Sequence, residues 1–220
     1  HGKKSQLQEK FHGAIIIADC FSIAHVMPEL PEVEVSRLGL EPELTGRFVT
    51  GAITRTLQLR YPLPERLNER LLGARLAGIR RRGKYLLFDL DHISGGTTAS
   101  LILHLGMSGS LRIVPPDTPP QRHDHVDIIF ADRVLRLRDP RRFGALLWHD
   151  HDTPLEGHPL LAVLGIEPLE AGFNGEWLHT HLHKRAGPIK PVLMDSHLVA
   201  GIGNIYAAES LFQSRISPLR

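Results

Sequence analysis

Three groups of residues in this 220-residue sequence have the types and spacing to do chemistry. The first is Pro28-Glu29, directly behind Met27. Loss of Met27 would leave Pro28 with a free secondary amine. Such α-amines titrate at about 7.7–8.0, so part of the population is an unprotonated nucleophile at neutral pH. The adjacent Glu29 carboxyl is a candidate general acid. Read alone, the same two residues are an ordinary helix start. The second group is basic: Arg80, Arg81, Arg82 and Lys84, then Arg133, Arg136, Arg138, Arg141 and Arg142. The planar guanidinium fork matches phosphate oxygens. On charge alone, solvated strand faces account for these arginines more simply. The third is the alternating run His179-Thr180-His181-Leu182-His183. On a strand these imidazoles would share a face, but on a helix residues two apart diverge. They read as helix surface or ligand-facing side chains rather than as a metal site.

These groups need elements to hold them. Pro28 to Glu34 places prolines and acids in a first helical turn, where a missing N–H costs nothing and carboxylates meet the positive dipole end. Gly46 is the expected stop. Strands are expected over 48–56, 75–91, 98–114 (broken by Gly106 and Gly109), 125–130 and 133–138, the last two as a hairpin about Ala131-Asp132. In the final strand, alternation puts Val134, Arg136 and Arg138 on one face and Arg133, Leu135 and Leu137 on the other. That pattern is not cleanly amphipathic, and it leaves some arginines free to face a ligand. From Trp148 the text turns helical, over 154–164, 174–184, 189–198 and 204–216. Asn174 is a candidate N-cap, and Gly201-Ile202-Gly203 turns tightly into the last helix. The outline is an α+β multidomain chain: a β-rich part, then a helical part.

Composition narrows the class. Hydrophobic residues make up 42% and charged residues 23%, which excludes wholesale disorder. No apolar run approaches the roughly 20 residues of a membrane-spanning helix. The single cysteine, Cys20, excludes an intrachain disulfide and a cysteine-only zinc site within these residues, and fits an intracellular setting. Residues 1–26 begin with Lys3, Lys4 and Lys10, and Asp19 interrupts their apolar stretch, so linker or untranslated sequence explains them better than a signal peptide.

Five segments stand in one order: Met27 to Glu34, Arg82-Gly83-Lys84-Tyr85-Leu86-Leu87, His104-Leu105-Gly106-Met107-Ser108-Gly109, Asp139-Pro140-Arg141-Arg142-Phe143-Gly144, and Gly203-Asn204-Ile205-Tyr206. Together they resemble the bacterial formamidopyrimidine-DNA glycosylases, which excise 8-oxoguanine and ring-opened purines. The likeness runs from Met27 to the last residue. Leu30-Pro31-Glu32-Val33-Glu34 is closer to this branch than to the related endonuclease VIII branch.

The resemblance implies an N-terminal β-sandwich with flanking helices over 27–155. A helical DNA-binding part with a helix–two-turn–helix element follows over 156–220, and 1–26 is an extension outside the mature enzyme. It implies a base-excision-repair glycosylase and AP lyase, acting as a monomer on double-stranded DNA with oxidised purines or abasic sites. Pro28 would attack the sugar C1′ and form a Schiff base, Glu29 would protonate the opening sugar ring, and Lys84 would be a second proton donor. Extruding the damaged base leaves a gap. Met107 and Phe143 would fill it as apolar wedges, and Arg141 would pair with the orphaned cytosine. His104, His123, Arg185, Lys190 and Asn204 would contact phosphates, with Glu32 and Glu209 as nearby active-site acids.

Two departures complicate the expectation. If residues 1–26 stay attached, Pro28 nitrogen is a tertiary amide with no nucleophilic lone pair. The family's C-terminal four-cysteine zinc finger lies beyond the last residue here, so zinc is a cofactor of the full-length family with no place in these residues. A fragment of this kind is expected to bind DNA weakly and catalyse poorly. The alternative reading is a catalytically inactive damaged-DNA-binding protein on the same scaffold. A carbohydrate-binding β-sandwich has only the strand pattern and two tryptophans behind it.

Overall fold

A computed structural model describes residues 27–92, 99–183, 185 and 187–219. The expected extension, with Cys20, lies outside the described residues.

Helix α1 (Leu30–Leu44) follows the proline-rich start and buries Leu30, Val33, Leu40 and Leu44. Eight strands follow: β1 (Val49–Thr54), β2 (Ala74–Arg82), β3 (Tyr85–His92), β4 (Ala99–His104), β5 (Ser110–Val114), β6 (Asp124–Phe130), β7 (Val134–Arg138) and β8 (Ala145–Asp150). They form two antiparallel four-stranded sheets, ordered β1-β6-β7-β5 and β2-β3-β4-β8. Short helix α2 (Leu67–Leu71) packs beside β1. The main core lies between the sheets, with Leu76, Ile79, Leu86, Phe88, Leu101 and Leu103 meeting Val126, Ile128, Leu135 and Leu137. In β4 the alternate residue Ile102 faces outward and is covered by Leu155 and Leu161. Both faces of that strand are therefore apolar, which explains its unbroken hydrophobic text.

A 3-10 turn (Leu155–Gly157) and α3 (Pro159–Ala162) lead to α4 (Gly175–Leu182), α5 (Ile189–Leu193) and α6 (Asn204–Gln213). Their core is small: Leu193, Ala207 and Leu211, with Leu178, Ile189, Ile202 and Ile216 against it. Asn174 caps α4 by accepting the Trp177 N–H at 2.9 Å. Among the described residues, no helix is long and apolar enough to cross a membrane.

Several local expectations need correction. Strand β8 is absent from the expected strands and runs past Trp148, where the helical text begins, because Ala145 to Asp150 pairs with β4 along its whole length. The expected helix over 189–198 stops at Leu193: Asp195 accepts the N–H groups of Leu198 and Val199 and starts a separate turn. The expected helix over 154–164 breaks into a 3-10 turn and one α turn. Of the two β7 arginines, Arg138 stays half-exposed and donates to Gln121 Oε1 at 3.1 Å, whereas Arg136 is neither solvated nor open to a ligand. Arg136 is buried, makes a two-pronged contact with Asp127, and donates to the carbonyls of Thr118 and Pro119. The proline-rich loop thus covers the face that alternation alone left open. Arg133 pairs with Glu43 on α1 and with Asp132, and Arg80 pairs with Asp89.

Candidate active site and nucleic-acid interface

Two clusters gather the residues singled out above. The first lies where the start of α1 meets the start of α6. Pro28 is half-buried, and Glu29, next to it, is 0% exposed. The Glu29 carboxylate accepts backbone N–H groups from Gly203 at 2.9 Å, Ile205 at 2.9 Å and Tyr206 at 3.2 Å. These are the free donors at the first turn of α6, where a negative charge is favoured. Leu30 N–H adds a bond to Gly201 C=O at 3.1 Å. Glu32 joins the same junction. One oxygen accepts the Glu29 N–H at 2.9 Å and the other the Tyr206 hydroxyl at 2.8 Å. Burial, with the Glu32 contact next, pushes the Tyr206 hydroxyl up to about 12.

Lys84 enters this cluster from the turn between β2 and β3. A Cβ on Gly203 would stand 2.4 Å from Glu29 Oε1 and 2.7 Å from Lys84 Nζ. Only glycine lets the α6 amides, the carboxylate and the ammonium share this space. Burial holds the Lys84 ammonium below its ordinary value, against the opposing pull of Glu29 and Glu32. The lysine's turn is fixed from the helical side by Glu167, which is 6% exposed. Its carboxylate takes the Gly83 N–H at 2.6 Å, Arg81 at 2.6 Å and Arg82 at 3.0 Å.

The second cluster sits at one end of the sandwich, on the loops β4–β5 and β7–β8. Gly106 has φ of +66°, and a Cβ there would lie 2.4 Å from the Phe143 carbonyl carbon. Two backbones therefore touch, and the loop bearing Met107 is pressed onto the loop bearing Arg141 and Phe143. Phe143 is 45% exposed, an unusual position for a large apolar ring, and the Arg141 guanidinium lies 4.8 Å over it. His123 stands beside these loops with φ of +73°, and its carbonyl takes the Asp139 N–H at 3.0 Å. Burial and then Arg122 and Arg138 lower the His123 imidazole.

His104 links the clusters, because its ring packs 4.8 Å from Tyr85 and its Nδ1 accepts the Gly106 N–H at 2.9 Å. The proton of the neutral ring must then sit on Nε2, which is a donor. Burial, Lys84 and Arg60 push this imidazole down to about 4, so at neutral pH the ring is a neutral Nε2–H donor and not a cation.

Asn204 is the exposed first residue of α6 and Lys190 lies half-buried on α5. Arg185 is exposed, with one guanidinium nitrogen 3.9 Å from Asp195. Glu209 is exposed on α6 and, among the described residues, shares no hydrogen bond with the Glu29 junction. Sequence reasoning missed Glu167, Tyr206, Ser108 and Asp139 as site-building residues. Asp139, Ser108 and Tyr206 lie inside the quoted motifs, but Glu167 carries no local signal.

The implied zinc finds no ligand set in these residues. A four-cysteine finger needs four thiolates, the 220 residues hold one, and among the described residues no group of three or more His, Cys, Asp or Glu could hold a metal. The three histidines of the alternating run follow the helix: His181 stacks on Trp177 at 3.9 Å and His179 on His183 at 5.4 Å.

Comparison with known proteins adds independent information. Residues 27–146 match the formamidopyrimidine-DNA glycosylase N-terminal domain, and 164–220 match the formamidopyrimidine-DNA glycosylase H2TH domain. A protein of Dechloromonas aromatica named formamidopyrimidine-DNA glycosylase is 56% identical over 195 residues, covering 88% of this chain and 70% of its own length. One of Xanthomonas oryzae pv. oryzae with the same name is 53% identical, covering 88% and 69%. The Lactococcus lactis Fpg bound to DNA with an abasic site superposes with a TM-score of 0.77 at 35% identity, covering 88% and 69%. The same protein bound to DNA containing N7-benzyl-Fapy-dG gives 0.77, also at 35% identity, covering 88% and 70%.

Proposed function

The chain belongs to the formamidopyrimidine-DNA glycosylase family, and from that premise we propose which of its residues carry base excision on damaged double-stranded DNA. The observation that carries the assignment is the convergence of Glu29 and Lys84 on Gly203, directly beside Pro28. Oxidised purines and abasic sites are the substrates, and the family's zinc takes part in no step below.

In a chain that begins at Pro28, the amine lone pair attacks the sugar C1′. The C1′–base bond breaks and its electron pair leaves with the base, which takes up a proton. Glu29 takes up the proton that the attacking Pro28 nitrogen sheds and passes it to the ring oxygen as the C1′–O4′ bond opens, and an iminium joins Pro28 to the sugar. The iminium acidifies the C2′ protons, so β- and then δ-elimination cut the strand. Lys84 is a second proton donor, made readier to release its proton by burial. Met107 and Phe143 occupy the vacated stack and Arg141 donates to the orphaned cytosine. His104, His123, Arg185, Lys190 and Asn204 hold phosphates, and Glu32 orders the junction. The functional division runs between 27–155, which brings the chemistry, and 156–220, which grips the duplex.

Borohydride trapping tests this reading on protein whose N-terminal residue has been determined by intact mass. A chain starting at Pro28 should give a covalent adduct with an 8-oxoguanine duplex, and Pro28→Gly should lose most of it. Full base excision by Pro28→Gly would sink the assignment.

A further inference from the structure

We infer that Asp139 is the positioning residue that sets recognition of the opposite strand, by locking the Met107 loop to the Arg141–Phe143 loop; this rests on the reading above. Asp139 is 0% exposed, and every polar atom it has is engaged. Its Oδ1 accepts the Ser108 hydroxyl at 2.6 Å and its Oδ2 accepts the Gly144 N–H at 2.8 Å. Its N–H donates to His123 C=O at 3.0 Å, and its own C=O lies 2.9 Å from His125 Nε2 and accepts the Arg142 N–H at 3.3 Å. Ser108 relays the link, since its oxygen also accepts the Arg141 N–H at 3.1 Å.

The carboxylate thus ties the loop bearing Met107 to the loop bearing Arg141 and Phe143, while the backbone N–H of the same residue ties in His123. None of these bonds involves the Pro28 junction. Both carboxylate oxygens act as acceptors, and asparagine offers one oxygen with an NH2 in place of the other. That substitution either sets a donor against the buried Gly144 N–H or turns the Ser108 hydroxyl from donor to acceptor, and in both cases it removes the charge-assisted bond that Ser108 makes to the carboxylate. The two loops then lose their common register while the active-site groups keep theirs. An error of about 1 Å in such placement can cost on the order of a hundredfold.

The test is equilibrium binding of the full chain to three probes, which needs no free Pro28 amine. The probes are a duplex with a tetrahydrofuran abasic analogue opposite cytosine, the same duplex opposite adenine, and an undamaged duplex. Asp139→Asn should weaken the cytosine probe about ten- to a hundredfold and erase its advantage over adenine, leaving the undamaged duplex unchanged. Ser108→Ala, which deletes only the relay hydroxyl, should do the same in milder form, and Ser108→Thr should restore the preference. It covers the case in which Asp139→Asn does not fold. A parallel loss on all three probes would make Asp139 a fold residue only, and a retained cytosine preference would equally overturn the inference. A wild-type chain with no preference for abasic over undamaged duplex would instead overturn the functional reading beneath it.

Discussion

The two clusters differ in how far along the chain their parts lie. The Pro28–Glu29–Lys84 junction is held by bonds such as Glu29 to Tyr206, between residues 177 positions apart. The opposite-strand loops are held by bonds such as Ser108 to Asp139, 31 positions apart, all within the sandwich. The junction therefore exists only when the helical part is docked, whereas the loops need only the two sheets. The helical part has a small core, so much of its fixation comes from polar clasps at this seam. Assembly of the junction and docking of the helical part are one event, and shaping the loops is another.

The sharpest break in that contrast is Glu29→Gln. It should lower base excision by about 10²–10⁴-fold in single-turnover assays and also lower the thermal midpoint, because an amide NH2 then faces one of the α6 N–H groups. Binding to abasic duplex should keep its cytosine preference. Next is Glu167→Ala, which leaves the buried Gly83 N–H without its acceptor, Arg81 with Glu34 as its one remaining carboxylate and Arg82 with carbonyls alone, and should cost about 1–3 kcal/mol in denaturant unfolding. Loss below about 1 kcal/mol would mean the seam holds without this carboxylate.

His104 probes the hinge between the clusters through pH. Its imidazole falls from 6.5 to about 4 on folding, so the unfolded chain binds the proton more tightly. The associated stability is complete above pH 6.5 and is lost as pH falls toward 4, on the order of 3 kcal/mol in all. His104→Gln should flatten the stability profile across that window. The smallest effect is expected from Tyr206→Phe, which removes one hydrogen bond to Glu32 and should cost about 1 kcal/mol with little change in opposite-base preference.

Legibility in the sequence followed locality. The helix start at Pro28, the Asn174 cap and the hairpin of β6 and β7 were readable because caps, turns and period-two patterns act over a few residues. The motifs named Pro28, Glu29, Lys84, Met107, Arg141 and Phe143 and identified the family. Arg136 and Glu167 were unreadable for a different reason. An arginine on a strand face is solvated unless a distant loop covers it, and here residues 115–121 do so. A lone glutamate is a surface charge unless two arginines and an amide arrive from a hairpin 84 residues earlier.

The amino-acid order by itself determined the class of fold, the family and the candidate residues for the chemistry, since propensity, capping and motif spacing are properties of neighbours. Only the tertiary structure decided the protonation of His104, the docking of Glu29 on α6, and the pinning of two loops by Asp139. Those depend on desolvation and on donors supplied from far along the chain, and a charge has no fixed character until the fold has chosen what surrounds it.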